Sequence, residues 1–141
     1  MKNKMRMALA ACTILLMSVI SVCAAVETYE PLPGPGKKAQ IGEDFTVVYS
    51  FDKKPQMGMV ILRLEVYDKD GKKDTSLKIT GDLDMPTMKG AHGTGFKPLQ
   101  LNKKGDYLLA LNLMMPGEWE VQLVFMKEKT VIHRGSIKFH V

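Results

Sequence analysis

The chain has 141 residues with 20 basic and 15 acidic side chains, a surplus of positive charge that would suit an anionic partner such as a nucleic acid. Three of the basic residues, Lys2, Lys4 and Arg6, precede an apolar run that ends in small residues near position 25, as in a secretory signal peptide. Without them 17 basic residues face 15 acidic ones, which weakens the charge-based argument for a nucleic-acid partner. The remaining length suits one domain with a hydrophobic core.

Residues 1–25 are therefore predicted to be a signal peptide. Their apolar run approaches the roughly 20 residues that span a bilayer, so an uncleaved N-terminal membrane anchor is the alternative. Lipidation at Cys23 is a third, less favoured because Val22 stands where a lipoprotein signal has Gly or Ala. In each case we expect the folded part in the oxidising periplasm of a bacterium. Because Cys12 also lies in this segment, the cleaved product would hold no thiol, disulfide or Cys-based metal site.

The segment that follows is rich in Pro and Gly. Residues 30–36 hold three prolines and two glycines, so this segment cannot continue a helix or a central strand. We expect residues 26–36 to form an extended linker and residues 37–141 to form a single domain.

Beyond the linker, apolar residues recur at every second position in short runs separated by turn residues, which is typical of half-buried strands. Such strands are predicted at residues 45–51, 60–67, 77–83, 96–101, 107–113, 119–125 and 131–141. Their two sets of apolar faces must bury each other, so the sequence predicts an all-β, immunoglobulin-like antiparallel β-sandwich of about seven strands. A small closed barrel is the alternative. The core is expected around Phe45, Tyr107 and Trp119.

The chemically informative segment is the Gly-rich stretch 84–95, which has no period and is expected to form a long loop. It places the thioethers of Met85 and Met88 and the imidazole of His92 within eight residues. Thioether and imidazole ligands suit Cu(I), whereas Mg²⁺ and Ca²⁺ prefer carboxylates. Thioethers need no deprotonation and form no disulfide, so they suit a site outside the cytoplasm. Met115, in a second methionine cluster at a strand end, is a candidate fourth ligand.

A metal-free role stays open for these residues, while no other kind of chemistry is equally well supported. Met is also an adaptable core residue, and a His on a Gly-rich loop is often only solvated. The loop glycines lack the order of a nucleotide-binding motif, and the aspartates around Gly71 lack the closing Glu of a calcium loop. No nucleophile elbow surrounds the serines of residues 26–141. We therefore expect no enzyme.

Several short motifs resemble the YtkA-like/FixH family of small exported bacterial domains. They are Asp-Met-Pro-Thr-Met at residues 84–88 with the following His92, Gly-Asp-Tyr at residues 105–107, and Met-Pro-Gly-Glu-Trp at residues 115–119. The resemblance covers residues 55–141 and implies an immunoglobulin-like sandwich exposed to the periplasm. Because family members occur beside copper-handling and oxidase-assembly functions, it also implies a Cu(I) site at Met85, Met88, His92 and Met115. His92 is farther from Met88 than in many relatives, so joint ligation requires the loop to fold back.

The sequence thus predicts a non-enzymatic periplasmic protein that binds Cu(I) through Met85, Met88 and His92. It would deliver the ion to an oxidase-assembly or efflux partner at the inner membrane, without a nucleic-acid partner. The alternative is a metal-free module that docks on a membrane-protein complex through the same Met-rich surface. An enzyme that uses copper redox chemistry would also need an open coordination position and a substrate pocket, and the sequence indicates neither.

Overall fold

The structure is a computed structural model that describes residues 25–141. The predicted signal peptide, with Cys12 and Cys23, lies outside the described residues. The described chain forms ten strands and one 3₁₀ turn, and seven strands have four residues or more. The elements are β1 (Glu30–Pro31), β2 (Lys38–Ile41), β3 (Phe45–Phe51), β4 (Gly58–Asp68), β5 (Lys78–Asp84), the 3₁₀ turn (Pro86–Met88), β6 (Lys97–Pro98), β7 (Gln100–Leu101), β8 (Tyr107–Leu113), β9 (Glu118–Lys127) and β10 (Thr130–His140). None of the helical segments in this range has the length and hydrophobicity needed to cross a bilayer.

The strands form two sheets of five strands that pack face to face. Sheet A has the order β1-β10-β9-β5-β6, and sheet B has the order β2-β3-β4-β8-β7. Every neighbouring pair is antiparallel except β1 and β10, which run parallel. This arrangement confirms the predicted immunoglobulin-like antiparallel β-sandwich, because the alternating apolar residues of both sheets face each other across one core.

The core contains the three aromatic residues that the sequence predicts there. Phe45, Tyr107 and Trp119 are all buried, and Trp119 is 1% exposed. The hydroxyl of Tyr107 donates to the carbonyl oxygen of Leu77 at 2.7 Å and so links sheet B to the segment that enters β5. Burial raises the pKa of Tyr107 to about 12, so this hydroxyl stays protonated at neutral pH and keeps donating.

The predicted linker is in part a component of the sandwich. Glu30–Pro31 pairs with β10, and the amide of Leu32 donates to the carbonyl oxygen of Ser136 at 2.8 Å. Leu32 also packs against the core. Residues 30–32 of the predicted linker are therefore docked on sheet A, and the amide of Gly36 already bonds to Tyr49 of sheet B. An edge position tolerates the prolines, because their missing N–H groups are not needed by a neighbouring strand.

The predicted strand 96–101 is divided between the two sheets. β6 pairs with β5 in sheet A, whereas β7 pairs with β8 in sheet B. The chain crosses from one sheet to the other at Leu99, which is buried. Periodicity cannot reveal such a crossing, because both short strands keep the same alternation.

Gly81, on the inner face of β5, is required for close packing of the two sheets. A Cβ at this position would lie 2.8 Å from Leu109 Cδ2 and 3.2 Å from Leu123 Cδ2, and both leucines are buried. We expect Gly81→Ala to lower the free energy of unfolding by about 1–3 kcal/mol through overpacking, measured by urea denaturation. Gly34→Ala is the matched control, because no atom lies within 4 Å of its Cβ position. Equal stability of the two variants would contradict this packing.

An ion pair between the buried Asp106 and the partly exposed Lys73 lies at the end of the sandwich where β8 begins. Asp106 is 3% exposed, accepts from Lys73 Nζ at 2.5 Å and accepts from Asn102 Nδ2 at 3.0 Å. The Lys73 ammonium lowers the pKa of Asp106 below its ordinary value of 3.8, and the same contact raises the pKa of Lys73. Because the carboxylate titrates lower in the folded than in the unfolded chain, it stabilises the fold above about pH 4 and loses this effect as the pH falls through the folded value.

We therefore expect Asp106→Asn to lower the free energy of unfolding by about 1.5–3 kcal/mol at pH 7, since a hydrogen bond between charged groups is lost. The difference between wild type and variant should shrink as the pH falls below about 4 toward the lowered pKa of the folded carboxylate. Urea denaturation at pH 7 and at pH 3 measures both values. A difference that is the same at the two pH values would show that the charge of Asp106 does not contribute.

Candidate soft-metal site

Six of the seven methionines in residues 26–141 lie at one end of the sandwich, here called the methionine end. At this end β5 and β8 finish and β4 and β9 begin, because β4 pairs antiparallel with β8 and β5 pairs antiparallel with β9. The six are Met57, Met59, Met85, Met88, Met114 and Met115. The seventh, Met126, pairs with Lys78 near the opposite end.

Most of these methionines are exposed to solvent. Eight large hydrophobic side chains of the described residues are exposed, and five of them belong to the methionine end. They are Met57, Met59, Met88, Met114 and Met115, with exposed fractions of 58, 51, 42, 59 and 37%. Thioethers that lie at the surface in this number are accessible to an ion or to a partner protein.

The loop of residues 84–95 is folded back on itself, as joint ligation by Met88 and His92 requires. The amide of Thr94 donates to the carbonyl oxygen of Leu83 at 3.1 Å, and its hydroxyl donates to Asp82 Oδ1 at 3.2 Å. These bonds close the loop two residues after His92. The imidazole is therefore held near the ends of β5 and β9 instead of extending into solvent.

Asp84 organises the interior of this loop. Its Oδ1 accepts from the amide of Met85 at 2.8 Å, and its Oδ2 accepts from the amide of Gly90 at 2.9 Å. Gly90 has a φ of +82°, a left-handed conformation that a glycine adopts without strain. Between them the 3₁₀ turn is closed by the Met88 amide, which donates to the Met85 carbonyl oxygen at 2.9 Å. The Asp84 carboxylate thus shapes the backbone that presents Met88.

Trp119, the first inward-facing residue of β9, lies beneath both the loop and the turn that joins β8 to β9. The ring centroids of His92 and Trp119 are 6.3 Å apart, and the Trp119 indole N–H donates to the carbonyl oxygen of Met115 at 3.0 Å. The 3₁₀ turn with Met88 packs against β9 as well. One rigid, buried indole therefore positions candidate ligands from two separate parts of the chain.

The family profile described as YtkA-like matches residues 39–124. The chain belongs to the YtkA-like family. The match includes the loop, Met115 and Trp119 and ends within β9. No curated protein and no solved structure matches the chain. The YtkA-like family is not a known enzyme family. Membership in it indicates an exported accessory domain.

In this YtkA-like domain the four predicted ligands differ in their surroundings. Met88 is exposed and His92 is half-buried, both on the closed loop, and Met115 enters from the neighbouring turn. Met85 is 4% exposed, and its methyl carbon lies only 3.0 Å from the position that a Cβ on Gly117 would take. Met85 is thus a core residue packed beneath the loop, whereas Met88 and Met115 are accessible, and its role as a ligand stays a prediction.

The charged residues of the methionine end do not form a metal site of their own. Within residues 25–141, no three His, Cys, Asp or Glu side chains are arranged to hold a metal ion. Asp84 and Glu120 are direct cross-strand partners in sheet A next to the loop, and Lys138 is the partner of Glu120 on its other side.

Two methionines of this end, Met57 and Met59, were not among the sequence-based candidates. They flank Gly58 at the start of β4, and this strand pairs with the end of β8 that carries Met114 and Met115. The Met-Gly-Met sequence can be recognised in the chain, but it does not by itself indicate a link to Met114 and Met115. The two methionine pairs are more than fifty residues apart and become neighbours only through the pairing of β4 with β8.

Proposed function

We propose that this YtkA-like domain is a non-enzymatic Cu(I) carrier in which Met88, His92 and Met115 bind the ion above Trp119. The observation that supports this most strongly is the closed loop, which brings Met88 and His92 to the same end as Met115. Two thioethers and one imidazole form a soft ligand set that selects Cu(I) over hard cations. Met85 packs below the loop and keeps it in place.

The exposure of the proposed ligands fits a carrier. Met88 is 42% and Met115 is 37% exposed, so a bound ion would remain accessible to the ligands of a second protein. A partner that offers its own thioethers or imidazoles could then take over the ion one ligand at a time. We propose that this partner is an oxidase-assembly or copper-efflux protein of the inner membrane. Residues 1–25 would bring the domain to the periplasm as a signal peptide or hold it there as an anchor.

The single tryptophan of the chain provides a direct test, because Trp119 lies next to His92 and Met115. Cu(I) is titrated anaerobically into the purified protein while Trp119 fluorescence is recorded. Cys12→Ser and Cys23→Ser are introduced throughout, so that no thiolate competes for the metal. We expect a saturable change in fluorescence that His92→Ala removes and that Met126→Leu, at the opposite end, leaves intact. An unchanged Trp119 signal at micromolar Cu(I) would exclude a carrier site above the indole.

The second candidate function is a metal-free docking module, which the five exposed methionines also favour. The two functions respond differently to substitution of sulfur by carbon. Met88→Leu keeps the apolar surface, so docking on a membrane complex would persist. Cross-linking in membranes measures this docking. If docking persists in Met88→Leu and the wild-type protein binds no Cu(I), the docking module replaces the carrier.

Asp84 is expected to act as a positioning residue for the carrier site. Asp84→Ala removes the acceptor of the Met85 and Gly90 amides, so the loop should lose its closed geometry. We expect the Cu(I) affinity to fall by about 10-fold, as for other groups that orient metal ligands. Competition with a chromophoric chelator measures it, and Asp70→Ala in a distant turn is the control. Asp84→Asn keeps one acceptor oxygen and should recover part of the affinity, whereas equal losses in both variants would contradict the positioning role.

A further inference from the structure

The outer face of sheet B carries three methionines that the loop site does not use. Met59 pairs directly with Asn112 across β4 and β8, and both side chains face away from the core. Met114 lies two residues beyond Asn112, which is the diagonal position on the same face. Diagonal side chains of antiparallel strands have Cα atoms about 7–8 Å apart, a separation that long side chains bridge.

Met57 adds a third thioether to this group. Gly58 and Leu113 are the last pair of the β4–β8 ladder, and Met57 and Met114 are the residues immediately beyond them. Gly58 has a φ of +99° and no atom within 4 Å of its Cβ position, so the chain is free to turn here. Met57 also lines an open cleft of about 560 Å³ together with Pro116 and His140. The three methionines therefore lie at one strand end, and Met57 has open space beside it.

This group is separate from the loop site although Met114 and Met115 are adjacent in sequence. Met115 accepts the indole hydrogen bond of Trp119 through its carbonyl oxygen, on the side of the loop. Met114 continues the outward-facing positions of β8, on the side of sheet B. The alternation along β8 therefore places Met114 on the outer face of sheet B, whereas the backbone of Met115 is bound to Trp119.

Burial in the core does not explain these three side chains. Met57, Met59 and Met114 are each more than half exposed, so they contribute little to the core. The exposed face of an antiparallel sheet is normally polar, and methionine is not among the residues enriched in strands. What the three share is an accessible, uncharged and polarisable sulfur, which is a ligand for soft metal ions.

We propose that Met57, Met59 and Met114 form a second site, built from thioethers alone, for a soft monovalent cation such as Cu(I). Thioethers carry no proton that must leave before they bind a metal, so the affinity of this site should not depend on deprotonation of its ligands. This second site does not depend on the loop site, since the two share no side chain. A domain with both would carry two ions at one end.

The test uses Ag(I), a redox-stable soft cation, and the protein labelled with ¹³C at the methionine methyl groups, again with Cys12→Ser and Cys23→Ser. Each methyl resonance is assigned by a single Met→Leu substitution. We expect the resonances of Met57, Met59 and Met114 to shift together during the titration, with Met126 as the unshifted reference. The shifts should persist in a Met88→Leu, His92→Ala double variant. Changing all three methionines to leucine should remove one bound ion and leave the melting temperature nearly unchanged.

The outcomes separate this inference from the proposed carrier function. If the three resonances stay in place, or shift only while Met88 and His92 are intact, the second site is overturned. If they shift while Met88 and Trp119 do not respond, the second site stands and the carrier function assigned to the loop falls. If the triple leucine variant still binds the same number of ions as the wild type, the sulfur atoms are not ligands and the second site is overturned.

Discussion

Met88→Leu is expected to lower the Cu(I) affinity of the loop by on the order of 100-fold or more, since removing a direct ligand exceeds the 10–100-fold losses caused by outer-shell changes. Leucine keeps nearly the volume and hydrophobicity of methionine and removes only the sulfur. Met88 is 42% exposed and lies in a short 3₁₀ turn, so the free energy of unfolding should change little. Anaerobic competition against a chromophoric chelator measures the affinity, and urea denaturation measures the stability.

Two further variants make this result specific. Met126→Leu is the same chemical change at the opposite end of the sandwich and should leave the affinity as it is. Met85→Leu tests the burial of Met85, whose methyl group contacts Gly117, and should affect stability more than affinity. A Met88→Leu protein that binds Cu(I) as tightly as the wild type would remove Met88 from the site. A Met85→Leu protein that loses Cu(I) binding at unchanged stability would restore Met85 as a ligand.

Trp119→Ala is expected to have the largest effect on stability, with a loss of about 3–5 kcal/mol in the free energy of unfolding. Trp119 is 1% exposed and contributes the largest fully buried side chain of the core. Its removal leaves a cavity under the loop and deprives the Met115 carbonyl oxygen of its indole donor. Since single domains are stable by about 5–15 kcal/mol, this substitution removes a large part of the total.

The stability of the Trp119 variants is measured by urea denaturation followed by circular dichroism, since the fluorescent residue is itself replaced. Trp119→Phe keeps an aromatic ring without the N–H donor, so it should be intermediate in stability and should still weaken Cu(I) binding through Met115. His140→Ala is the control, an exposed change on the neighbouring strand β10. A Trp119→Ala protein less than about 1 kcal/mol below the wild type would show that the methionine end does not depend on this residue.

The bounds of the longer strands could be predicted closely, because the alternation of apolar residues that identifies each strand lies within that strand. Residues 45–51 and 107–113 were predicted with the bounds that the structure shows. A strand with one buried face has an apolar residue at every second position, and both segments show this pattern. The short strands β1 and β2 were not predicted. β1 and β2 have two and four residues, too few for a period, and they form because neighbouring strands offer them hydrogen bonds.

The candidate site was predicted in part for the same reason. Met88 and His92 lie on one loop, so their association was visible within a short stretch of sequence. The burial of Met85 could not be predicted, because Met85 packs against Gly117 of another turn. The Met-Pro sequence at residues 85–86 gives no sign of this contact. Met57 and Met59 were missed because their neighbours Met114 and Met115 are reached only through strand pairing.

By itself, the sequence determined that the described chain is a sandwich of short alternating strands and that sulfur and imidazole are concentrated in one loop. Periodicity and composition are local properties, and these conclusions required nothing else. Only the tertiary structure decided that six methionines from three chain segments lie at a single end. It also separated the buried thioether from the exposed ones and placed Trp119 beneath two of the candidate ligands. Such convergence results from long-range pairing and packing, in which residues far apart in sequence become neighbours.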